Sequence, residues 1–175
     1  MSISYLGIDP GIAGRMCLLV AGSDGPPLIS SIPRKTGRLA RRAIHLVKDN
    51  KAKDYNFVRM VELVEYCKQT CGTSLVVVIE EPPYFMRSGR QSNAKSIVDL
   101  HRGLGLWSAA CQQCGLTLYQ LSPATWKSKV KLLKTAKEYS LVRAAELSGY
   151  HLETTDAADA YLLAYVGRQL KLEPS

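Results

Sequence analysis

The stretch YLGIDPGIAG, Tyr5–Gly14, places an aspartate where an apolar run gives way to a Pro-Gly turn. An apolar run of this kind is typical of a buried β-strand, and Pro-Gly marks the turn that ends it. A charge at the end of a buried strand costs free energy unless it faces solvent or holds a partner. Asp9 is therefore either a simple turn residue or part of a functional site.

Further apolar runs predict the strands of a sheet. The five predicted strands are Ile3–Asp9, Met16–Ala21, Leu28–Ile32, Leu75–Glu80 and Thr117–Leu121. Short Gly/Pro turns join the first three, which favours an antiparallel meander. Helical spacing of apolar residues predicts helices at Asp54–Gln69, Ala94–Cys114, Thr135–Leu147 and Asp156–Leu170. This order of elements indicates a mixed α/β sheet with helices packed on it.

The second of these helices carries an apolar stripe from Ile97 to Cys114 with alternating spacings of three and four residues. Such a stripe either packs on the sheet or forms a subunit interface. Gly103 and Gly105 stand beside it, and the absence of a side chain there lets another backbone come close.

The length of the chain indicates a single domain. With 175 residues it can bury a core but is too short for two domains of ordinary size, so we predict one domain over 1–175. We find no apolar run near the roughly 20 residues of a membrane span and no basic-then-apolar leader before Ser4. We therefore expect a soluble protein of the cytoplasm of a bacterium or phage-infected cell, or of an organelle if a presequence has been removed.

The chain is basic, with 23 Lys and Arg against 15 Asp and Glu and a net charge of +8. This balance favours a polyanionic partner, although other soluble proteins share it. Eight basic residues and a single acid, Asp49, lie within 34–53. That stretch is a candidate phosphate-contacting face, with an ordinary solvated surface as the alternative.

The five cysteines do not indicate a disulfide framework, because their number is odd and a chain of this size does not need one. Two pairs, Cys67 with Cys71 and Cys111 with Cys114, have spacings that resemble those of zinc sites. Each pair lies on the apolar stripe of a predicted helix. We therefore expect buried structural cysteines rather than metal ligands.

Acidic residues end two apolar strands and begin the last helix. Asp9 ends the first strand and Glu80 ends the run LVVVIE, while Asp156 and Asp159 stand three apart at a helix start. If the two strands are parallel neighbours, their carboxylates emerge at the same edge of the sheet. Residues three apart share one face of a helix. Each acid also has an ordinary alternative, as a turn residue, a solvent-facing strand end or a charge at a helix N-terminus.

A bound cation explains the four carboxylates together better than the four ordinary alternatives do. Without a cation, clustered carboxylates repel one another and lose solvation. Oxygen ligands without a His or Cys partner favour Mg²⁺ or Mn²⁺. A pair of such ions supports in-line displacement at a phosphodiester. Clustered carboxylates in a basic chain therefore predict a nuclease.

Four motifs, in order along the chain, resemble those of the RuvC-type Holliday junction resolvases. GIDPG resembles the family's first-strand motif, VVVIEE its central-strand glutamate, and DAADAYLLA its C-terminal Asp-x-x-Asp helix. The segment LHRGLGLWSAACQQCGLTLYQLSPATWK resembles the long helix, the following strand and the Pro-x-x-[aromatic or Val]-Lys segment. Its Trp-Lys form is similar to the plant plastid branch. The resemblance implies a ribonuclease H-like fold, a mixed five-stranded α/β sheet with helices packed on both faces.

The resemblance also implies roles for individual residues. The catalytic carboxylates, which would bind two Mg²⁺ per active site with Mn²⁺ able to substitute, are Asp9, Glu80, Asp156 and Asp159. Lys127 corresponds to the catalytic lysine that faces the scissile phosphate, and Lys137 resembles a second family lysine near the DNA. Glu81 stands where the family often has glutamine, so the choice between Glu80 and Glu81 as main metal ligand rests on the alignment, which favours Glu80.

The segment EPPYFMRSGRQ is longer before its aromatic pair than the corresponding family segment. Tyr84 and Phe85 are candidates for stacking on unpaired junction bases, and Arg87 and Arg90 are candidates for holding phosphates. The alternative is a flexible surface loop with two apolar anchors.

We therefore predict a Holliday junction resolvase that makes paired, symmetric nicks in four-way DNA junctions and leaves 5′-phosphate and 3′-hydroxyl ends. The resemblance implies a homodimer, since a two-fold dimer presents two sites to opposed strands, and the helix at 97–114 is the candidate interface. The alternatives are another ribonuclease H-like nuclease, acting on flaps or RNA–DNA hybrids, and a junction-binding protein without cleavage. The sequence leaves open the base preference and any branch-migration helicase partner.

Overall fold

A computed structural model describes residues 2–11, 14–23, 26–31, 55–71, 74–83 and 94–174. The basic stretch 34–53 and the candidate DNA-contacting residues Tyr84, Phe85, Arg87 and Arg90 lie outside the described residues.

Five strands form one mixed sheet. They are β1 (Ser4–Ile8), β2 (Arg15–Leu19), β3 (Leu28–Ser31), β4 (Leu75–Glu80) and β5 (Leu118–Leu121). Their order across the sheet is β3-β2-β1-β4-β5. The first three strands pair antiparallel, as the short turns predicted, whereas β4 pairs parallel with both β1 and β5. The mixed sheet predicted from the sequence is confirmed.

The described residues form five helices, which cover both faces of the sheet. They are α1 (Phe57–Cys71), α2 (Ala94–Gln113), α3 (Pro123–Lys129), α4 (Tyr139–Ser148) and α5 (Thr155–Gln169). Helix α4 begins later than the predicted Thr135, after a segment in which Lys131 and Lys134 have φ of 59° and 62°. A left-handed residue of this kind does not belong to a right-handed helix.

Helix α3 was not among the predicted helices, although its start carries ordinary helix signals. The Ser122 hydroxyl oxygen accepts a hydrogen bond from the Thr125 backbone N–H at 3.2 Å, and Pro123 occupies the first turn. The helix is seven residues long and buries Trp126. Its shortness hid it from an apolar periodicity that needs at least two turns to show.

The sheet has a hydrophobic core on each face, because the side chains of β1 and β4 alternate between two sides. Tyr5 and Val78 belong to the core beneath α3, α4 and α5. Leu6 and Ile79 belong to the core beneath α1 and α2. Burial on both faces explains why these two strands are continuous apolar runs, and it confirms that helices pack on both sides.

Helix α5 lies against β1 at unusually short range. A Cβ atom at Gly7 would overlap the Ala160 carbonyl oxygen and stand 2.7 Å from the Ala164 nitrogen. Near the other end of the helix, a Cβ atom at Gly167 would stand 3.1 Å from the Tyr5 ring. These two contacts show that α5 runs antiparallel to β1. Its N-terminal turn therefore lies beside the residue that follows β1, which is Asp9.

The apolar stripe of α2 packs largely inside this chain. Trp107, Cys111 and Cys114 are buried in the core beneath α1 and α2, so this part of the candidate interface is not available to a second subunit. All five cysteines are free, and all but the half-buried Cys71 are buried, as expected of structural cysteines. Among the helices that the structure describes, none is long and apolar enough to cross a membrane.

Candidate active site

Two carboxylates emerge at the same edge of the sheet. Ile8 pairs with Ile79 in the parallel ladder between β1 and β4. Asp9 follows Ile8 and Glu80 follows Ile79, so the two acids occupy equivalent places on strands that lie about 5 Å apart. The sequence prediction that these two strand ends meet is confirmed.

Helix α5 brings two more acids to this edge. The Thr154 hydroxyl oxygen caps the helix by accepting from the Ala157 backbone N–H at 3.2 Å. Asp156 and Asp159 follow in the first turns, on the side that faces Asp9. The charges of both aspartates act on the Asp9 carboxyl and raise its pKa. The sheet edge and the helix therefore bring together all four predicted carboxylates.

The Asp9 carboxyl is influenced by its burial, by neighbouring acids and by a backbone hydrogen bond. Burial raises its pKa to about 6, and the charges of Asp156 and Asp159 add to this effect. A hydrogen bond from the Gly11 backbone N–H to Oδ1, at 3.2 Å, acts in the opposite direction. The turn after Asp9 is held in place as well, since the Pro10 carbonyl oxygen lies 2.8 Å from the Tyr55 hydroxyl.

Gly103 of α2 allows the close approach that was predicted for it. A Cβ atom there would lie 2.7 Å from the Pro10 carbonyl oxygen. Gly105 has no such contact within 4 Å in the described part of the chain. The turn that carries Asp9 therefore packs directly on the α2 backbone at a single glycine.

Glu80 is the second carboxyl of the site whose pKa is strongly raised. Burial raises its pKa to about 7, and the nearby Asp9 charge contributes in the same direction. Lys127 and a hydrogen bond from Trp126 lower it in part. The electrostatic contacts of Glu80 with Asp9 and Asp159 favour Glu80 over its neighbour Glu81 as the glutamate that faces the other acids.

Asp159 is a buried acid, with 7% of its surface exposed. Burial raises its pKa, while a hydrogen bond with Ser140 and the charges of Lys127 and Lys137 lower it. Its Oδ1 atom has no hydrogen-bond partner among the described residues. A buried carboxylate oxygen without a partner costs free energy and needs an explanation.

Both predicted lysines lie at the site. Lys137 Nζ stands 2.7 Å from Asp156 Oδ1 in an ion pair, and Lys127 Nζ lies 5.1 Å from the centre of the Trp126 ring. Lys127 also acts electrostatically on Glu80 and Asp159. The sequence suggested that Lys137 contacts DNA, which stays a prediction; in the structure its partner is a carboxylate of the site.

The donor set fits a hard divalent cation, because it consists of carboxylate oxygens and includes the unpartnered Oδ1 of Asp159. The carboxylates lie at the same edge of the sheet, but their oxygens do not converge on a single metal position. Within the described ranges, no group of three or more His, Cys, Asp or Glu is arranged to hold a metal ion. Gly11, Trp126 and Lys137 instead hold individual carboxylates by hydrogen bonds.

Two residues of the site were missed by sequence reasoning. Trp126 donates a hydrogen bond from Nε1 to Glu80 Oε2 at 3.0 Å, and Ser140 of α4 bonds to Asp159. In the sequence, Trp126 belongs to a family-like Trp-Lys motif, and the one general signal for its role is that a buried indole N–H usually has an acceptor. Ser140 carried no signal, since its partner lies in another helix.

The comparisons with solved structures concern the fold. The Thermus thermophilus RuvC structure is similar with a TM-score of 0.58 and 18% identity, covering 99% of this chain and 100% of that chain. The T. thermophilus RuvC in complex with Holliday junction substrate is similar with a TM-score of 0.60 and 17% identity, and 99% of each chain is covered. The yeast mitochondrial Holliday junction resolvase Ydc2 has a TM-score of 0.48 and 19% identity, covering 93% of this chain and 76% of that chain.

Neither a family model nor a curated protein matches the chain by sequence. The likeness to RuvC covers nearly the whole chain, so the protein has the RuvC fold, as the motifs implied. At identities of 17% and 18% the likeness establishes the fold alone. The similarity to the plant plastid branch stays a prediction.

Proposed function

We propose that the protein is a Holliday junction resolvase, an endonuclease selective for four-way DNA junctions. The observation that carries the proposal is the meeting of four acids at one edge of the sheet, with two lysines beside them; the acids are Asp9, Glu80, Asp156 and Asp159. Support also comes from the likeness, over 99% of each chain, to a RuvC solved with a Holliday junction substrate.

In the proposed reaction the four carboxylates would hold two Mg²⁺ ions, for which Mn²⁺ could substitute. Bound there, the ions would supply an activated water and charge stabilisation for the leaving oxygen. Asp9 would be the central ligand of this set, because it interacts electrostatically with Glu80 and with both α5 aspartates. The Oδ1 atom of Asp159, which has no hydrogen-bond partner among the described residues, is available as a metal ligand for the same purpose.

The lysines act on the phosphate in this proposal. Lys127 lies near Glu80 and Asp159 and would offset the negative charge that builds on the scissile phosphate. Water loses a proton and forms a bond to phosphorus while the bond to the 3′ oxygen breaks, and that oxygen takes up a proton. The products are a 5′-phosphate and a 3′-hydroxyl.

Paired nicks require two such sites. A four-way junction is nearly two-fold symmetric, so we propose a homodimer whose sites face opposed strands. The burial of Trp107 and Cys111 leaves the first half of α2 for a subunit contact, where Val98 is 63% exposed.

The proposal is tested with a panel of labelled substrates in Mg²⁺: a synthetic four-way junction, a flap, a linear duplex and an RNA–DNA hybrid. We expect cleavage of the junction, none with EDTA, and none by Asp9→Asn or Asp156→Asn, which should still bind the junction. The control Glu173→Gln removes an exposed carboxylate beyond the other end of α5 and should cut normally.

Three results would contradict the proposal: equal cutting of linear duplex, activity that survives EDTA, or activity that survives either substitution. Preferred cutting of the flap or the hybrid would support another ribonuclease H-like nuclease instead. Junction binding without any product would support a binding protein.

A further inference from the structure

The indole of Trp126 contacts the active site from inside the protein. Its Nε1 donates to Glu80 Oε2 at 3.0 Å, and the ring has no exposed surface. A hydrogen bond to a charged acceptor is roughly twice as strong as a neutral one. Because the buried ring cannot move aside, the bond ties down one oxygen of Glu80.

The fold sets the position of this ring independently of Glu80. Leu121, at the end of β5, pairs with Glu80 in the parallel ladder, and α3 begins two residues later. The Trp126 backbone N–H donates to the Ser122 carbonyl oxygen at 3.1 Å, and the ring packs in the core beneath α5. Helix α3 therefore delivers a fixed N–H donor to the end of β4.

Burial alone does not account for this hydrogen bond. The chain has two tryptophans, and the other, Trp107, is equally buried. Its Nε1 atom has no hydrogen-bond partner in the part of the chain that is described. Burial in the core therefore does not by itself give an indole N–H an acceptor among the described residues, and the Trp126–Glu80 hydrogen bond depends on the particular placement of these two residues.

The same ring also contacts a cation of the site. Lys127 Nζ lies 5.1 Å from the ring centre, at a distance that allows a cation–π attraction. One buried side chain thus touches one acid and one base of the candidate active site. The N–H at the edge of the ring pairs with Glu80, and the face of the ring lies near Lys127.

We propose that Trp126 is a positioning residue, whose N–H fixes the Glu80 carboxylate in the orientation that faces Asp9 and Asp159. Holding Oε2 leaves Oε1 as the oxygen that serves the reaction. The consequence for cleavage rests on the proposed resolvase function, whereas the hydrogen bond and its effect on Glu80 do not.

The hydrogen bond is tested without DNA or metal, by the two indole ¹H–¹⁵N signals of the full chain. Trp107→Phe and Trp126→Phe assign the signals. At a pH well above the raised pKa of Glu80, Glu80→Gln keeps the side-chain shape and removes its charge, so the Trp126 proton signal should move upfield while that of Trp107 stays in place. An unmoved Trp126 signal, or an equal shift of both signals, would overturn the proposal.

The role in cleavage is tested by comparing the two Trp→Phe variants, which lose the same ring from equally buried places. We expect Trp126→Phe to lower kcat on a four-way junction by about 10- to 100-fold with little change in KM, as is typical when a partner that orients a ligand is lost. Trp107→Phe should cost stability with little change in kcat. Equal kcat losses would indicate packing alone and contradict the proposal.

A third variant keeps the ring volume. Incorporation of 3-benzothienylalanine at position 126 replaces the N–H by sulfur, and it should reproduce the loss of kcat while leaving the melting temperature close to that of the wild type. Full activity in this variant would overturn the proposal. If the wild type cuts no junction, the resolvase function fails, and the indole spectra still decide whether Trp126 holds Glu80.

Discussion

Asp9 and Glu80 are carboxyl groups whose pKa values lie well above the ordinary ones, at about 6 and about 7. Burial is the largest cause in both, and the neighbouring acids add to it. The native state therefore binds protons more tightly than the unfolded state does at these two positions. Near neutral pH, ionising both groups without a cation costs stability.

This imbalance predicts how the metal-free protein responds to pH. The contribution of each group is fully present below its ordinary pKa, near 4, and is lost as pH rises through about 6 for Asp9 and about 7 for Glu80. Urea unfolding in EDTA should therefore give a free energy of unfolding that falls between pH 5 and pH 8.

The double variant Asp9→Asn, Glu80→Gln isolates this effect, because the replaced groups do not titrate. Its unfolding free energy should fall less over the same range than that of the wild type, while Glu173→Gln should follow the wild type. Parallel pH profiles for the wild type and the double variant would contradict the assignment of raised pKa values to this pair.

Gly7 predicts a second effect at the residue scale. Since a Cβ atom there would overlap the Ala160 carbonyl oxygen, Gly7→Ala must push α5 away from β1. Overpacking of this kind costs about 1–3 kcal/mol or more, which chemical denaturation measures. The matched control Gly105→Ala, in a helix and without a described atom within 4 Å, should stabilise the protein by up to about 1 kcal/mol. A neutral Gly7→Ala would contradict the packing described.

At the scale of elements, the segment that includes the end of α3 and the following loop is strongly basic. Residues 127–137 contain five lysines and no acid. Lys131 and Lys134 are exposed, and their left-handed backbone belongs to a loop fixed by hydrogen bonds such as that from the Leu132 N–H to the Lys127 carbonyl oxygen at 2.8 Å. This loop presents exposed lysines beside the acids and suits phosphate contacts.

Neutralising the loop should weaken junction binding in a salt-dependent way. The double variant Lys131→Gln, Lys134→Gln should reduce the slope of log affinity against log salt by about 2, since each lost phosphate contact removes about one counterion. Fluorescence anisotropy in EDTA measures this slope without cleavage.

Lys171 provides the matched control, because it is also an exposed lysine with a positive φ, of 52°. It follows α5, whose 15 residues span about 22 Å from the acidic end. Lys171→Gln should leave the slope nearly unchanged. A reduction of about 1 by Lys171→Gln, which is the same per charge as that of the double variant, would indicate general charge rather than a phosphate-binding loop.

The observed strands and helices show which elements the apolar periodicity of the sequence can predict. Apolar runs predicted all five strands, and helical spacing predicted the four longer helices, because these elements bury regular faces. Helix α3 is too short to show a period, and the start of α4 depends on left-handed backbone at Lys131 and Lys134. The stripe of α2 was correctly placed on one face, but its spacing did not decide between the sheet and a second subunit.

At the scale of the whole molecule, the site combines parts that lie far apart in the sequence. The four acids were predicted from their places at strand ends and at a helix start, together with the family motifs, and the parallel pairing of β1 with β4 brings Asp9 and Glu80 together. The partners of these acids were not predicted. Trp126 and Glu80 are 46 residues apart, and no local pattern encodes a hydrogen bond over that separation.

The resolvase proposal also requires coordinated action of two sites across a two-fold axis. The most direct measurement uses a supercoiled plasmid that extrudes a cruciform, which is a four-way junction lost as soon as a single nick relaxes the DNA. Linear plasmid forms only if both opposed strands are cut before the junction is lost. We predict that the wild type yields mainly linear plasmid, with symmetric cuts at the cruciform base, and that Asp9→Asn yields neither linear nor nicked product. Nicked circles as the main wild-type product, or cuts spread over the plasmid, would contradict the account.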